Sequence, residues 1–147
     1  MLKFRMQSTD EYERLVKFFV ENELEFNGDE EVDTDIIKCW KMTHTDDVLV
    51  AGCVLAKRQG EFIIDGIAVT HLFRKFGLGK ILMEKAIKEV KARGGNKIYL
   101  VARAPGFFRT MGFETVKPED APVFFECAQC PQYNVKCFPE IMKLEIE

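Results

Sequence analysis

The chain has 147 residues, 47% of them hydrophobic and 12% aromatic, which suits a single domain with a filled core. Its charged fraction of 31% and net charge of −3 argue against a disordered chain and against a nucleic-acid-binding surface. No apolar run approaches the ~20 residues of a membrane helix, and residues 1–5 lack the apolar stretch of a signal peptide. We therefore expect a cytoplasmic protein with no membrane partner.

A strand and a helix are predicted first. Residues 2–6 alternate apolar and polar side chains, as a half-buried strand does. Helix caps follow at residues 8–11, since Glu11 stands three residues after Ser8. The apolar stripe of this helix is predicted at Tyr12, Leu15, Val16 and Phe19. The next segment, 21–35, holds eight acidic residues and no basic one, and we interpret it as a loop.

The middle of the chain is predicted to form an antiparallel meander of three strands. These strands are placed at 36–44, 48–57 and 61–69, with turns at 45–47 and 58–60. An amphipathic helix over 78–93 follows, ended by two glycines. The remaining elements are a strand at 97–102, a short helix at 105–111, and strands at 113–116 and 141–146. A strand, a long helix and a further strand form a βαβ unit, which predicts a parallel pair near the middle of the sheet.

A glycine pair stands where the third meander strand gives way to the long helix. Gly77 and Gly79 let the backbone turn tightly and approach a ligand without a Cβ in the way. The first N–H groups of a helix have no internal partner and carry the positive end of its dipole, so they suit a phosphate or pyrophosphate. The nearby cations Arg74, Lys75 and Lys80 strengthen that site, and residues 66–83 contain no acidic residue.

Two common phosphate-binding motifs are absent from this loop. Ile81 stands where a P-loop NTPase has serine or threonine, and the Gly-x-Gly-x-x-Gly pattern of a dinucleotide fold is missing. Taken alone, the loop is equally compatible with an ordinary helix start that carries surface cations.

The segments on either side of the loop favour a ligand-binding loop over an ordinary helix start. Residues 67–69 followed by Arg-x-x-Gly-x-Gly resemble the acetyl-CoA loop of the GNAT superfamily of N-acetyltransferases, and the segment 107–113 resembles its second signature. The resemblance implies a single α/β (α+β) domain over residues 1–147, with a mixed central sheet of about six to seven strands and flanking helices. It also implies acetyl-CoA as co-substrate and an amine of a small molecule or peptide as acceptor.

The same resemblance implies a role for each position of the loop. The pantetheine arm would pair with the backbone of Ile67, Ala68 and Val69. The pyrophosphate would bind the backbone amides of Arg74, Lys75, Phe76, Gly77, Leu78, Gly79 and Lys80. The far end of CoA would be flanked by Phe107, Phe108 and Arg109. The sheet would open between the strands that end at 69 and 102, and the thioester would lie in this gap.

Catalysis needs a group that takes a proton from the acceptor ammonium. Many superfamily members have glutamate at the position of Ile63, and Asp65 lies on the same strand, so Asp65 is our candidate base. Alternation would place Asp65 on the same face as Ile63 unless a bulge intervenes. A structural carboxylate is the alternative, and His44 and His71 are the other candidate bases. Phe108 replaces the tyrosine that many members use as an acid.

Three cysteines follow at Cys127, Cys130 and Cys137. Three thiolates suggest a zinc site, although a structural site has four ligands, and reduced thiols are the alternative. The order of residues around these cysteines resembles that in short bacterial N-acetylglutamate synthases. The acidic segment 21–35 departs from that subfamily, which has an arginine there, and it would favour a cationic amine if it reaches the site.

The sequence leaves more than one function open. The first is acetyl transfer from acetyl-CoA to a primary amine. The second is a regulatory module that binds acyl-CoA without turnover, which the absence of tyrosine at Phe108 favours. The third is a metal-dependent interaction domain built on the cysteines. A homodimer is compatible with each of them, and no nucleic acid is expected.

Overall fold

A computed structural model describes residues 4–21, 35–58, 60–102, 105–117 and 140–146. Within these residues the chain forms seven strands and three α-helices. The strands are β1 (Arg5–Thr9), β2 (Asp35–His44), β3 (Val48–Arg58), β4 (Glu61–Val69), β5 (Lys97–Ala102), β6 (Glu114–Thr115) and β7 (Glu140–Glu145). The helices are α1 (Tyr12–Glu21), α2 (Leu78–Ala92) and α3 (Pro105–Arg109). Among the described helices, none is long and apolar enough to cross a membrane.

The strands form one mixed sheet in the order β1-β2-β3-β4-β5-β7-β6. The predicted antiparallel meander β2-β3-β4 is confirmed, and so is the parallel pair, which is β4 with β5. The predicted α/β fold with six to seven strands and flanking helices is therefore confirmed.

The parallel pair is short. Within the described residues, β4 pairs with β5 at Ile63 and Tyr99 alone, whereas it pairs with β3 from Glu61 to Val69 at every residue except Asp65. In this part of the chain the two parallel strands therefore part after Ile63, and the second half of β4 pairs with β3 alone. This opening agrees with the gap that the resemblance implies.

The helices lie on opposite faces of the sheet. Leu78, Leu82 and Met83 of α2 share a core cluster with Phe62 and Ile64 of β4. On the other face, Leu15, Phe18 and Phe19 of α1 pack with Cys39 and Val54. Side chains alternate along a strand, so β2 and β3 contribute to both clusters.

Two glycines let α1 lie close to the sheet. A Cβ on Gly52 would lie 2.5 Å from Leu15 Cδ2, and a Cβ on Gly66 would overlap the ring of Phe19. Leu15 and Phe19 are one helical turn apart, so each fills the space that one glycine leaves. The helix is thereby fixed against the first half of β3 and the second half of β4.

The structure corrects three local predictions. The first strand is described at Arg5–Thr9 and reaches further along the chain than the predicted 2–6. Ser8 lies in that strand, and Thr9 is the residue whose Oγ1 accepts a hydrogen bond from the Glu11 N–H at 3.1 Å. Arg58, which the sequence places in a turn, belongs to β3, and its side chain is only 1% exposed.

Candidate active site

The glycine loop begins directly after β4. A 3-10 turn spans His71–Phe76, and Gly77 follows in the left-handed conformation with φ 71°. The first α2 bond runs from the Ile81 N–H to the Gly77 carbonyl at 3.2 Å. The N–H groups of residues 78–80 precede that bond, so they have no acceptor inside the helix. The exposed cations Arg74 and Lys80 lie beside this helix end.

The loop, the end of β4 and α3 meet around Gly79. A Cβ on Gly79 would lie 3.2 Å from Phe107 Cζ and 3.7 Å from Val69 Cγ2, so a larger side chain would crowd this junction. Phe76 and Phe107 are both large apolar side chains that remain exposed here. The result is an apolar rim around a helix N-terminus, which suits an anion that carries an apolar arm.

The second half of β4 turns some of its backbone groups towards the gap. The Thr70 N–H bonds to the Val50 carbonyl at 2.9 Å and therefore faces β3. Backbone groups alternate sides along a strand, so those of Ala68 also face β3, and those of Ile67 and Val69 face the gap. The Val69 carbonyl accepts a bond from Arg74 Nε at 3.2 Å, which ties the loop to the strand.

One buried polar atom stands at this junction. Among the described residues, the Thr70 hydroxyl oxygen has no hydrogen-bond partner although it is buried. A buried hydroxyl without a partner is costly, and it is a common feature of places where a ligand binds. Together with the free helix N–H groups and the open edge of β4, it fits a CoA molecule along the strand and the loop.

Asp65 lies on the α1 face in a β-bulge. Ile64 stands opposite Leu55 and Gly66 opposite Val54, so Asp65 is the extra residue of β4. Asp65 faces α1 like Ile63, as alternation predicts, and the bulge places Gly66 on that same face, against Phe19. The aspartate side chain is only 2% exposed. The sequence allowed for such a bulge but did not locate it.

Two side chains hold the Asp65 carboxylate. Arg58 Nη2 lies 3.4 Å from Asp65 Oδ1, and the Tyr12 hydroxyl donates to Asp65 Oδ2 at 3.1 Å. We call Tyr12, Arg58 and Asp65 the bulge triad. Its members come from α1, β3 and β4, so the triad exists only in the folded chain.

The triad has unusual protonation properties. Burial raises the pKa of Asp65 above its ordinary value, while Arg58 and the hydrogen bond from Tyr12 act in the opposite direction. Burial, followed by the negative charge of Asp65, raises the pKa of the Tyr12 hydroxyl. Burial and the same charge raise the pKa of the neighbouring Cys39 thiol to about 11. The carboxyl group is therefore readier to accept a proton than an exposed aspartate.

Sequence reasoning missed two of the three members. It placed Tyr12 in the core stripe of α1 and Arg58 in a turn. Tyr12 lies 53 residues from Asp65 in the sequence, and Arg58 belongs to no local motif that includes Asp65. No spacing rule therefore connects either residue with Asp65. The buried Arg58 does carry a general signal, because a buried guanidinium needs a carboxylate partner.

The other candidate bases have different surroundings. His44 packs its ring against Phe4 at 5.6 Å and Phe73 at 5.7 Å between centroids. His71 is exposed at the start of the 3-10 turn. Ile63 is buried at 1% exposure and offers no titratable group.

The second signature forms part of the core. Phe108 is 8% exposed and makes edge-to-face contacts with Phe107 at 5.0 Å and Phe113 at 5.8 Å. Arg109 is exposed, and its Nη2 donates to the Thr115 hydroxyl at 3.3 Å. Phe107 is thus the member of this group that lies against the glycine loop, as the Gly79 contact shows.

The cysteines at 127, 130 and 137 lie outside the described residues. Within the described part of the chain, no group of three or more histidine, cysteine, aspartate or glutamate side chains could hold a metal ion. The zinc hypothesis stays a prediction from the sequence.

Comparison with known proteins agrees with this geometry. The model of the Acetyltransferase (GNAT) family matches residues 7–113. An uncharacterized N-acetyltransferase from Chlorobaculum tepidum is 32% identical over 71 residues, which are 47% of this chain and 46% of that protein. The matched part thus spans about half the length of this curated relative.

Two solved structures share the fold. An acetyltransferase of the GNAT family from Staphylococcus aureus Mu50 has a TM-score of 0.72 at 17% identity, with 99% of this chain and 100% of that chain covered. N-acetylglutamate synthase from Neisseria gonorrhoeae, complexed with coenzyme A and N-acetyl-glutamate, has a TM-score of 0.66 at 15% identity. That alignment covers 100% of this chain and 35% of the synthase. At these identities the likeness concerns the fold alone.

Proposed function

The chain belongs to the GNAT family of acetyltransferases, and from this membership we propose that it transfers an acetyl group from acetyl-CoA to a primary amine of a small molecule or peptide. One observation carries the proposal. Strands β4 and β5 part after Ile63, with a helix N-terminus at one face of the opening and a buried carboxylate at the other.

The CoA side of the proposal depends on backbone groups. The amides of residues 78–80 would bind the pyrophosphate, with Arg74, Lys75 and Lys80 adding positive charge. The open edge of β4 at Ile67 and Val69 would pair with the pantetheine arm, as an added strand does. Phe107 and Phe76 would cover the apolar parts of the ligand.

The acceptor side depends on Asp65. An amine reaches the site as an ammonium ion at neutral pH, and it must lose a proton before it can attack a carbonyl carbon. Asp65 lies two residues before Ile67, roughly 7 Å along the strand. Its raised pKa makes it a better proton acceptor than an ordinary aspartate, and we propose it as the general base.

The two substrates would approach from opposite faces. The α2 N-terminus and Phe107 lie on the α2 face, whereas the Asp65 side chain points towards α1. An opening between two strands lets both substrates reach the same point without sharing an entrance. This arrangement suits a direct transfer in which both substrates are bound together.

The deciding experiment measures free thiol released from acetyl-CoA in the presence of a panel of amines. The panel includes amino acids, polyamines and a peptide with a free N-terminus. We expect at least one amine to raise the release well above the rate of hydrolysis alone, with the acetylated product identified by mass spectrometry. No release with any amine would reject the proposal.

A regulatory module that binds acyl-CoA without turnover is the second candidate. Phe108 favours it, because a buried phenylalanine cannot donate a proton as tyrosine does. Calorimetry of acetyl-CoA binding, measured alongside the thiol-release assay, separates the two candidates. A module would bind acetyl-CoA and release no thiol, whereas the enzyme would do both.

A further inference from the structure

We propose that the Tyr12 hydroxyl touches the acceptor amine and passes its proton to Asp65, so that the two side chains act together as one base. The inference rests on the proposed acetyl transfer, because only an ammonium acceptor has this proton to give up. It adds a catalytic residue on α1, outside both signature segments of the sequence.

Asp65 is poorly placed to meet a substrate directly. Its side chain is 2% exposed, and its two oxygens are engaged by Arg58 and Tyr12. The titratable and charged groups that face it are Tyr12 from α1, Cys39 from β2 and Arg58 from β3. A buried carboxylate with these neighbours needs an intermediary to exchange a proton with a ligand.

Tyr12 is the neighbour suited to that task. Arg58 is 1% exposed and its guanidinium has only donors and no acceptor, while Cys39 is 3% exposed with a pKa of about 11. Tyr12 is half-buried and is therefore the least enclosed of these three neighbours. A hydroxyl can donate one proton and accept another at the same oxygen, which is what a relay requires.

The proton step balances without a further reactant. One N–H bond of the ammonium breaks as a new O–H bond forms at Tyr12 Oη. At the same time the original Tyr12 O–H bond breaks, and its proton forms an O–H bond with Asp65 Oδ2. The amine is left neutral with its electron pair free, the tyrosine is unchanged, and Asp65 holds the proton.

The chain holds Tyr12 firmly in place. The residue before it, Glu11, forms ion pairs with Lys41 and Arg14, which fix the first turn of α1 to the sheet. Further along the helix, the ring of Phe19 sits in the space above Gly66, directly after the bulge. A hydroxyl fixed from both sides is pre-organised for proton transfer.

The test is Tyr12→Phe, which keeps the ring and removes only the hydroxyl. We expect kcat to fall by about 10²-fold or more, while the Kd for CoA stays within twofold. The hydrogen bond from Tyr12 lowers the Asp65 pKa, so its loss should move the acidic limb of the residual rate to higher pH. A double variant with Asp65→Asn should be no slower than Asp65→Asn alone, because residues that act as a unit are not additive.

Tyr99→Phe is the matched control. Tyr99 is also half-buried on the α1 face, where it packs beside Ile63, and within the described residues it forms no hydrogen bond with Asp65. The same chemical change there should leave kcat and the pH profile as they are in the wild-type protein.

Several results would overturn the relay. If the wild-type protein acetylates an amine and Tyr12→Phe keeps its rate within threefold, the relay is wrong and the acetyl transfer stands. The relay is also wrong if Tyr12→Phe and Asp65→Asn reduce kcat additively in the double variant. It is wrong as well if Tyr12→Phe loses CoA affinity together with turnover. If the wild-type protein acetylates no amine, the relay and the proposed function fail together.

Discussion

The two sides of the β4–β5 opening are built by different means. The proposed CoA side consists of backbone groups from one continuous stretch, residues 67–80, together with Phe107. The proposed acceptor side consists of side chains from three separate elements, Tyr12 of α1, Arg58 of β3 and Asp65 of β4. One side depends on the local course of the chain, and the other depends on how the helix packs on the sheet.

This difference should appear in what each substitution damages. A change in the loop alters backbone geometry and should weaken CoA binding while the bulge triad stays intact. A change in the triad or under α1 should lower turnover while CoA affinity stays near normal. The comparison fails if the two effects cannot be separated.

Asp65→Asn should have the largest effect. General-base help is worth about 10²–10⁴-fold, so kcat should fall by that much, with an unchanged Kd for CoA. The wild-type rate should fall as pH drops through the raised Asp65 pKa, because the protonated carboxyl cannot accept a proton. The variant should lack this acidic limb. Steady-state rates across pH, with Kd from calorimetry, test the prediction.

The stability of this variant needs its own control. Asn removes the carboxylate charge that pairs with Arg58, whose side chain is 1% exposed, and breaking a buried ion pair costs about 3–5 kcal/mol. Rates should therefore be expressed per CoA-binding site. Asp46→Asn, which removes an exposed carboxylate, should change neither rate nor stability. If Asp65→Asn keeps most of its activity and its pH profile, the base lies elsewhere.

Gly66→Ala should have the next largest effect. The added Cβ overlaps the ring of Phe19, so α1 must shift away from the bulge. Overpacking of this kind costs about 1–3 kcal/mol, and the shift should separate Tyr12 from Asp65 and lower kcat. Thermal unfolding measures the first effect and steady-state kinetics the second. Gly106→Ala is the stability control, because nothing lies within 4 Å of its added Cβ. An unchanged melting temperature in Gly66→Ala would show that α1 tolerates the shift.

Gly77→Val tests the other side of the opening. Gly77 has φ 71°, which a β-branched residue adopts only with strain, and the distortion should displace the amides that bind pyrophosphate. We expect CoA affinity to fall at least tenfold, or about 1.4 kcal/mol, in calorimetry. Gly94→Val is the matched control, since Gly94 has φ 79° at the opposite end of the same helix. It should lose stability similarly and keep its affinity. Wild-type affinity in a folded Gly77→Val protein would show that CoA lies elsewhere.

The same contrast explains how far the sequence could predict the molecule. The meander, the parallel pair and the loop at Gly77 follow from strand patterns and a helix start, all of which are local. Tyr12 lies 53 residues from Asp65, and their hydrogen bond depends on where α1 packs. The bulge shifts the alternation of β4 from Gly66 onward, and alternation alone cannot locate that shift. Arg58 is predicted in the turn at 58–60, because the sequence alone does not show that its side chain meets Asp65 in the folded chain.

Phe108→Tyr should have the smallest effect, and its direction bears on both sides of the opening. Phe108 is 8% exposed and packs between Phe107 and Phe113, so the added hydroxyl must either reach the gap or stay buried without a partner. If it reaches the gap, it adds a proton donor to a reaction whose thiol product departs readily without one, and kcat should change by less than about threefold. If it stays buried, the cost should appear as about 1–3 kcal/mol of lost stability with kcat still unchanged. Rates and melting temperature measured together distinguish the two positions. A kcat increase of more than tenfold would show instead that protonation of the leaving thiol, and not deprotonation of the amine through Asp65, limits the wild-type reaction.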